Sequence, residues 1–140
     1  MYFKGPRTPL SNLFVVSGGL HVWNNNFRSS EHAYQWRKAQ IAGDHYRMQK
    51  IKDSISPFSA MRIGRQVETS TQWYNERESY MWELLQAKAA QCPEFRYTLA
   101  STGVRSLVEN TNNHYWGRGS DGSGENRLGY LLERLRASLL

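Results

Sequence analysis

Residues 29–38 read Ser29-Ser30-Glu31-His32-Ala33-Tyr34-Gln35-Trp36-Arg37-Lys38. Either serine supplies the hydroxyl that caps a helix N-terminus. The pattern predicts a helix that runs to Ile41 and stops at Gly43. On it Glu31, Gln35 and Lys38 stand at i, i+4 and i+7 and share a face. A carboxylate, an amide and an ammonium on one stripe suit a polar ligand. An ionised carboxylate can also stabilise a cationic transition state or activate water. In the first turn the helix dipole favours the anion, by about 0.3–1 kcal/mol at an exposed site. Glu31 equally fits a plainer role, capping its own helix. His32 points elsewhere, without a partner at metal-ligand spacing. With four His and one Cys in the chain, no metal site is expected.

A second dense motif is Tyr115-Trp116-Gly117-Arg118-Gly119-Ser120-Asp121-Gly122-Ser123-Gly124-Glu125-Asn126-Arg127-Leu128-Gly129. It reads as a glycine-rich loop feeding a helix. Glycine lets the backbone reach positive φ and approach a ligand closely. Successive N–H groups ahead of a helix can cradle a phosphate, which makes Gly122 and Gly124 candidate ligand contacts. The loop is not a P-loop, because no Gly-Lys-Ser/Thr ends it. Trp116 either stacks a flat base or anchors the loop to the core. Trp73 and Arg77, one turn apart, either hold a base and a phosphate or form a core Trp with an arginine lying over it.

Elsewhere the pattern is mostly helical. Leu13–Val16 and Leu20–Trp23 are short β-prone runs, with a hairpin turn expected at Ser17-Gly18-Gly19 and Asn24-Asn25-Asn26 ending the second. Asp44 caps a helix carrying Met48, Ile51 and Ile55 at helical spacing. Pro57 restarts the chain. A long helix covers about Thr71 to Ala90, with Trp73, Arg77, Met81, Leu84, Leu85 and Lys88 near one stripe. Pro93 opens a short helix through Phe95 and Leu99 that stops at Gly103. Val104 to Glu109 reads as a strand. Leu128, Leu131, Leu132, Leu135 and Leu139 form the stripe of a final helix. The expected fold is α+β, a compact single domain over residues 1–140, predominantly helical with a few short strands.

With 140 residues, the chain can bury a core without staples. The single Cys92 excludes an intramolecular disulfide and a Cys-based zinc cluster, and fits a reducing compartment. No apolar run approaches the roughly 20 residues that span a bilayer. Met1-Tyr2-Phe3-Lys4-Gly5-Pro6 lacks the apolar core of a signal peptide. A cytoplasmic protein without membrane association is expected. The net charge of +6 favours an anionic partner, either a phosphorylated ligand or nucleic acid, though no block of like charge appears.

Taken in order, these segments resemble the NADAR superfamily, which includes the YbiA-like N-glycosidases. The ordered set begins with Phe3, Pro9-Leu10-Ser11-Asn12 and Phe14. It continues through Phe27, residues 30–35, Lys38-Ala39, Pro57, Gly64, Trp73, Arg77, Met81 and Lys88. It closes with Thr102-Gly103, Leu107-Val108-Glu109, Trp116-Gly117, Gly119, Gly122, Gly124, Asn126, Leu128-Gly129 and Arg136. The resemblance implies a mainly helical α+β fold and cleavage of N-glycosidic bonds in ribosylated bases. The implied substrates are phosphoribosylamino-pyrimidine intermediates of riboflavin biosynthesis, ADP-ribosyl compounds, or ADP-ribosylated guanine in nucleic acid. No cofactor is implied. Glu31 matches the family's active-site glutamate, Trp73 and Trp116 its pocket tryptophans, and Asn126 its loop asparagine. Ser11, Asn12, Gln35, Lys38, Arg77, Gly122 and Gly124 complete the expected substrate contacts. The family reads Asp-x-x-Trp-Gly before the loop, and that Asp is a candidate catalytic group. This chain has Asn113 there, and an amide is no general base. Two readings follow: an enzyme that relies on Glu31, or a non-catalytic binder of ADP-ribose or NAD-like ligands.

Overall fold

The computed structural model describes residues 1–139. Among them the order is β1 (Tyr2–Phe3), β2 (Val15–Val22), β3 (Asn25–Ser29), α1 (Ser30–Ile41), α2 (His45–Asp53), α3 (Pro57–Gly64), α4 (Thr71–Gln91), α5 (Pro93–Ser101), β4 (Val108–Glu109) and α6 (Arg127–Ser138). The mainly helical α+β class expected from sequence is the one observed. The chain divides into two compact units, Val15–Cys92 and, built from both ends, Met1–Phe14 with the residues from Pro93 onward. No helix among the described residues is long and apolar enough to cross a membrane.

In the unit of residues 15–92, β2 and β3 form an antiparallel hairpin that feeds α1. The hairpin turn expected at Ser17-Gly18-Gly19 is not there. β2 runs unbroken through those residues, and the turn is made by Trp23 and Asn24, at φ 52° and 61°. Two consecutive left-handed residues form the tight turn that suits strand twist. Asn25 steadies it by donating from Nδ2 to the Trp23 carbonyl at 2.8 Å. Gly18 and Gly19 instead take positive φ where the register slips between Val15 and Leu20. The asparagines do not merely end a strand, since Asn25 and Asn26 open β3.

Each following helix begins on the cap its sequence supplies. Ser29 Oγ accepts from the His32 amide, Asp44 from Arg47, Ser56 from Phe58, and Ser70 from Trp73. Pro57 occupies the first turn of α3, where its missing N–H has no helical partner to lose. Ile51 is buried on α2, but Ile55 lies beyond the helix end and is 81% exposed. Its place in the helical stripe is therefore corrected: the chain leaves the helix at Ser54, in extended conformation. α1 packs against α2, α3, α4 and β3. On α4 the buried stripe is Trp73, Met81, Leu84, Leu85, Lys88 and Ala89.

In the other unit, β1 pairs in parallel with β4, Tyr2 opposite Val108 and Phe3 opposite Glu109. The strand expected over Val104–Glu109 is confined to Val108–Glu109, and Val104 is 98% exposed. β1 offers two residues to pair with, so the ladder goes no further. α6 buries Leu128, Leu131, Leu132 and Leu135, whereas Leu139 falls at its exposed end.

Lys88 is an ammonium inside the core. Burial pushes it down to about 7 from 10.5, against a small opposing influence of Cys92. Between those values the unfolded chain holds the extra proton, so stability rises with pH. Urea unfolding should show wild type gaining stability relative to Lys88→Met as pH rises from about 7 toward 10.5.

Candidate active site

Glu31 sits in the first turn of α1, 9% exposed. Gln35, one turn on, donates from Nε2 to Glu31 Oε1 at 2.8 Å. The face sharing expected from the i, i+4 spacing is thus a direct bond. Burial raises the Glu31 carboxyl above its ordinary value, and the Gln35 bond, Lys38 and Arg65 each pull it back in part. The helix position favours the anion, but burial acts in the opposite sense. Removal from water outweighs the favourable neighbours, because the charged form is what desolvation penalises. Lys38 is half-buried and its ammonium is lowered by desolvation, while Glu31 opposes that shift. Burial thus acts on both groups against their charged forms, and each opposes that effect on the other. Such a carboxyl holds a proton more readily than an exposed one.

Arg65 follows α3 directly and is the site cation missed from sequence. No periodicity links it to α1; only the packing of α3 on α1 brings it to Glu31. Gly64 was noted as a family position without a role, yet it lies against the Gln35 amide.

His32 is fixed structurally. Its Nε2 donates to the Ser54 carbonyl at 2.9 Å, so Nδ1 accepts from the Ser29 hydroxyl at 2.7 Å. One imidazole thereby ties the start of α1 to the end of α2. Among the described residues no group of three or more His, Cys, Asp or Glu could hold a metal ion.

Trp73 is 3% exposed. It stacks on Tyr80 at 5.8 Å and tilts against Tyr34 at 5.1 Å. The Arg77 guanidinium lies over Tyr74, 5.0 Å from the ring centroid. Arg37 lies 4.7 Å from the ring centroids of both Trp23 and Tyr80.

In the second unit the glycine-rich loop is a clasp. Gly124 N donates to Arg118 O at 2.6 Å, Glu125 N to His114 O at 2.7 Å, and Asn126 N to Gly117 O at 2.9 Å. Arg127 N and Leu128 N continue to Tyr115 O and Trp116 O. Gly122 N reaches Gly119 O, and Ser123 N reaches Asp121 Oδ1. The N–H groups of Gly122 and Gly124, which were expected to face a phosphate, are therefore engaged by the chain itself, as are those of Ser123 and residues 125–128. Gly124 has no room for a side chain, since a β-carbon would lie 2.4 Å from Gly117 O. Gly122 stands at φ 83°.

The two asparagines also serve the backbone. Asn113 Oδ1 accepts from Tyr115 N at 3.0 Å and from Trp116 N at 2.8 Å. Asn126 Oδ1 accepts from Glu109 N at 3.0 Å, and its Nδ2 donates to Leu107 O at 2.9 Å. Asn126 thereby pins β4 while adopting φ 50° ahead of α6. Trp116 is 7% exposed, with Tyr115 edge-on at 4.7 Å. Ser11 and Asn12 are buried, and Ser11 Oγ accepts from Leu13 N at 3.1 Å.

The model of the NADAR domain family matches residues 2–140. The protein named N-glycosidase YbiA of Escherichia coli is 40% identical over 123 residues, which cover 86% of this chain and 75% of that protein. A riboflavin biosynthesis protein of Vibrio vulnificus is 32% identical over 131 residues, 93% of this chain and 35% of that protein. The NMR structure of the E. coli protein YbiA superposes with a TM-score of 0.83 at 34% identity, covering 99% of this chain and 83% of that one.

Two outcomes test the loop. Gly124→Ala should lower the melting temperature more than Gly122→Ala, by an amount equivalent to about 1–3 kcal/mol, because the clasp must open to admit the methyl group. Asn113→Asp should hold the melting temperature near that of wild type, since the oxygen that caps Tyr115 and Trp116 is retained. Asn113→Ala should lose about 1 kcal/mol in the same denaturation assay.

Proposed function

The chain belongs to the NADAR domain family and is an N-glycosyl hydrolase; we propose that it cleaves the bond between a base and a ribose phosphate or ADP-ribose, with Glu31 as the catalytic carboxylate. The observation that carries this reading is a buried carboxyl, held by Gln35, whose proton affinity is raised above the usual carboxylate range. Cleavage builds positive charge on C1′ and the ring oxygen. The C1′–N bond breaks with its electron pair on the base nitrogen, and a water oxygen bonds to C1′. The proton lost by that water passes to Glu31, and the base nitrogen takes up a proton. Glu31 thus opposes the developing charge and then serves as base. Raised proton affinity makes it the stronger base for this step.

Lys38 and Arg65 are proposed to draw the phosphate, being the cations that act on Glu31. Trp73 is proposed as a wall for the base. Arg77 is proposed as a substrate contact on the strength of its match to the family. No chemical step is given to Asn113, because an amide accepts no proton at neutral pH. The substrate we favour is a phosphoribosylamino-pyrimidine of the riboflavin-intermediate type. The support is the Vibrio relative and its printed name, although this chain spans about a third of that protein. The formal charge of +6 favours a second reading, ADP-ribosylated guanine in nucleic acid.

Incubation with the pyrimidine intermediates, NAD, ADP-ribose and ADP-ribosylated DNA, with free base followed by chromatography, tests the proposal. Release of base from at least one compound is expected. Binding without release from any of them would overturn it in favour of a ligand binder.

Glu31→Gln should cut kcat by about 10²–10⁴ while ligand binding persists. In wild type the acid limb of kcat/KM should lie above the ordinary carboxylate value of about 4.3. The same raised value has a consequence for stability. The contribution of Glu31 is fully present below its unfolded value of 4.5 and is lost as pH rises through the folded value. Glu31→Gln should therefore gain stability relative to wild type as pH rises, in urea unfolding.

A further inference from the structure

Gln35 is 5% exposed, so its amide cannot swing into solvent without unpacking α1. A carboxylate only accepts, so the NH2 end of the amide faces Glu31. The carbonyl end is turned away, and Oε1 has no hydrogen-bond partner among the described residues. What it meets is Gly64, the last residue of α3. A β-carbon on Gly64 would lie 1.9 Å from Gln35 Oε1 and 2.4 Å from Gln35 Cδ. The backbone gives no reason for glycine here. Gly64 is helical and absent from the residues with positive φ, and glycine is a poor helix former. The reason is space.

We propose that Gly64 is a positioning residue for hydrolysis: the room left by its missing side chain seats the Gln35 amide and aims its N–H at Glu31. The inference rests on the role proposed above for Glu31. The carboxylate is in α1, its donor one turn away, and the notch in α3. Any side chain at 64 must displace the donor or push α3 off α1. Once the donor is lost, Lys38 on α1 and Arg65 after α3 remain as the named groups that favour the ionised carboxylate.

The test compares Gly64→Ala, Gln35→Ala and the double variant by two readouts. One is kcat/KM against pH on whichever compound wild type hydrolyses. The other is the titration of the Glu31 side-chain carboxyl by 13C NMR, which needs no substrate. Gly64→Ala should lower kcat/KM by about a hundredfold, the scale of a misplaced catalytic group. It should also move the Glu31 titration upward, and Gln35→Ala should do both. The double variant should match Gln35→Ala, because truncating Gln35 makes room for the new methyl group. A Gly64→Ala protein with wild-type rate and titration would overturn the proposal. So would a double variant that loses both single-variant factors in full. Should Gly64→Ala not fold, the double variant decides: folding with the Gln35→Ala titration supports the notch, and failure to fold overturns it. Wild type that hydrolyses no compound would sink the functional reading, while the titration would still decide whether Gly64 orders the amide.

Discussion

A carboxylate taken out of water is the constraint on which the rest of the Val15–Cys92 unit depends. Glu31 would be unfavourable in its buried place without compensation, and the compensation comes from several elements at once. The N-terminal turn of α1 supplies a favourable dipole. Gln35 supplies a donor, Lys38 a cation from the same helix, and Arg65 a cation from the end of α3. This explains why α1 buries eight of its twelve residues, several of them polar. A helix packed by α2, α3, α4 and β3 cannot present an ordinary amphipathic face. Some of its polar groups are instead satisfied locally. Ser29 serves both the His32 amide and the His32 ring, and the ring reaches on to Ser54.

What was legible in the sequence follows from how local the causes are. α1 could be read because its cap, its carboxylate and its glycine stop lie within one stretch of chain. The stripe from Trp73 to Lys88 marks α4 in the same local way, whereas Pro57 marks only a restart of the chain and does not by itself announce α3. The hairpin was misplaced because two glycines look more like a turn than Trp23-Asn24 does. Yet the glycines serve a register slip, and a β-carbon on Gly19 would meet the Asn26 side chain at 2.4 Å. β1 was beyond reach, and β4 was legible only within a longer run from Val104, for a different reason. Each is two residues long, and their pairing joins the chain start to residues more than a hundred positions away. Arg65 was hidden likewise, since its relation to Glu31 exists only once α3 has packed on α1.

The glycine-rich loop separates a pattern from its meaning. Glycines at 117, 119, 122 and 124 do announce close backbone approach, and close approach is what occurs. The partner is the chain itself, however. Backbone N–H groups are obligatory donors, and those of residues 122–128 are spent on carbonyls and one carboxylate of the same loop. A cradle and a clasp share one composition, and only the partners of the N–H groups tell them apart.

Asn113 carries the same lesson into chemistry. Its working atom in the fold is a side-chain oxygen that accepts two amides, and Asp and Asn both own that atom. Exchanging one for the other leaves the turn before Trp116 in place while withdrawing a negative charge. Where glycosidases divide the work between two carboxylates, one protonates the leaving oxygen while the other activates water or attacks the sugar. In N-glycosidic cleavage the leaving group is a heterocyclic base that spreads the incoming electron pair over its ring and can be protonated from water. Less is asked of a dedicated acid. One carboxylate of raised proton affinity, opposing the charge on the sugar as the bond opens and taking the proton of the attacking water as it closes, meets the remaining demand. The burial of Glu31 raises its proton affinity in the direction the proposed role requires, with an amide and two cations around it pulling the other way.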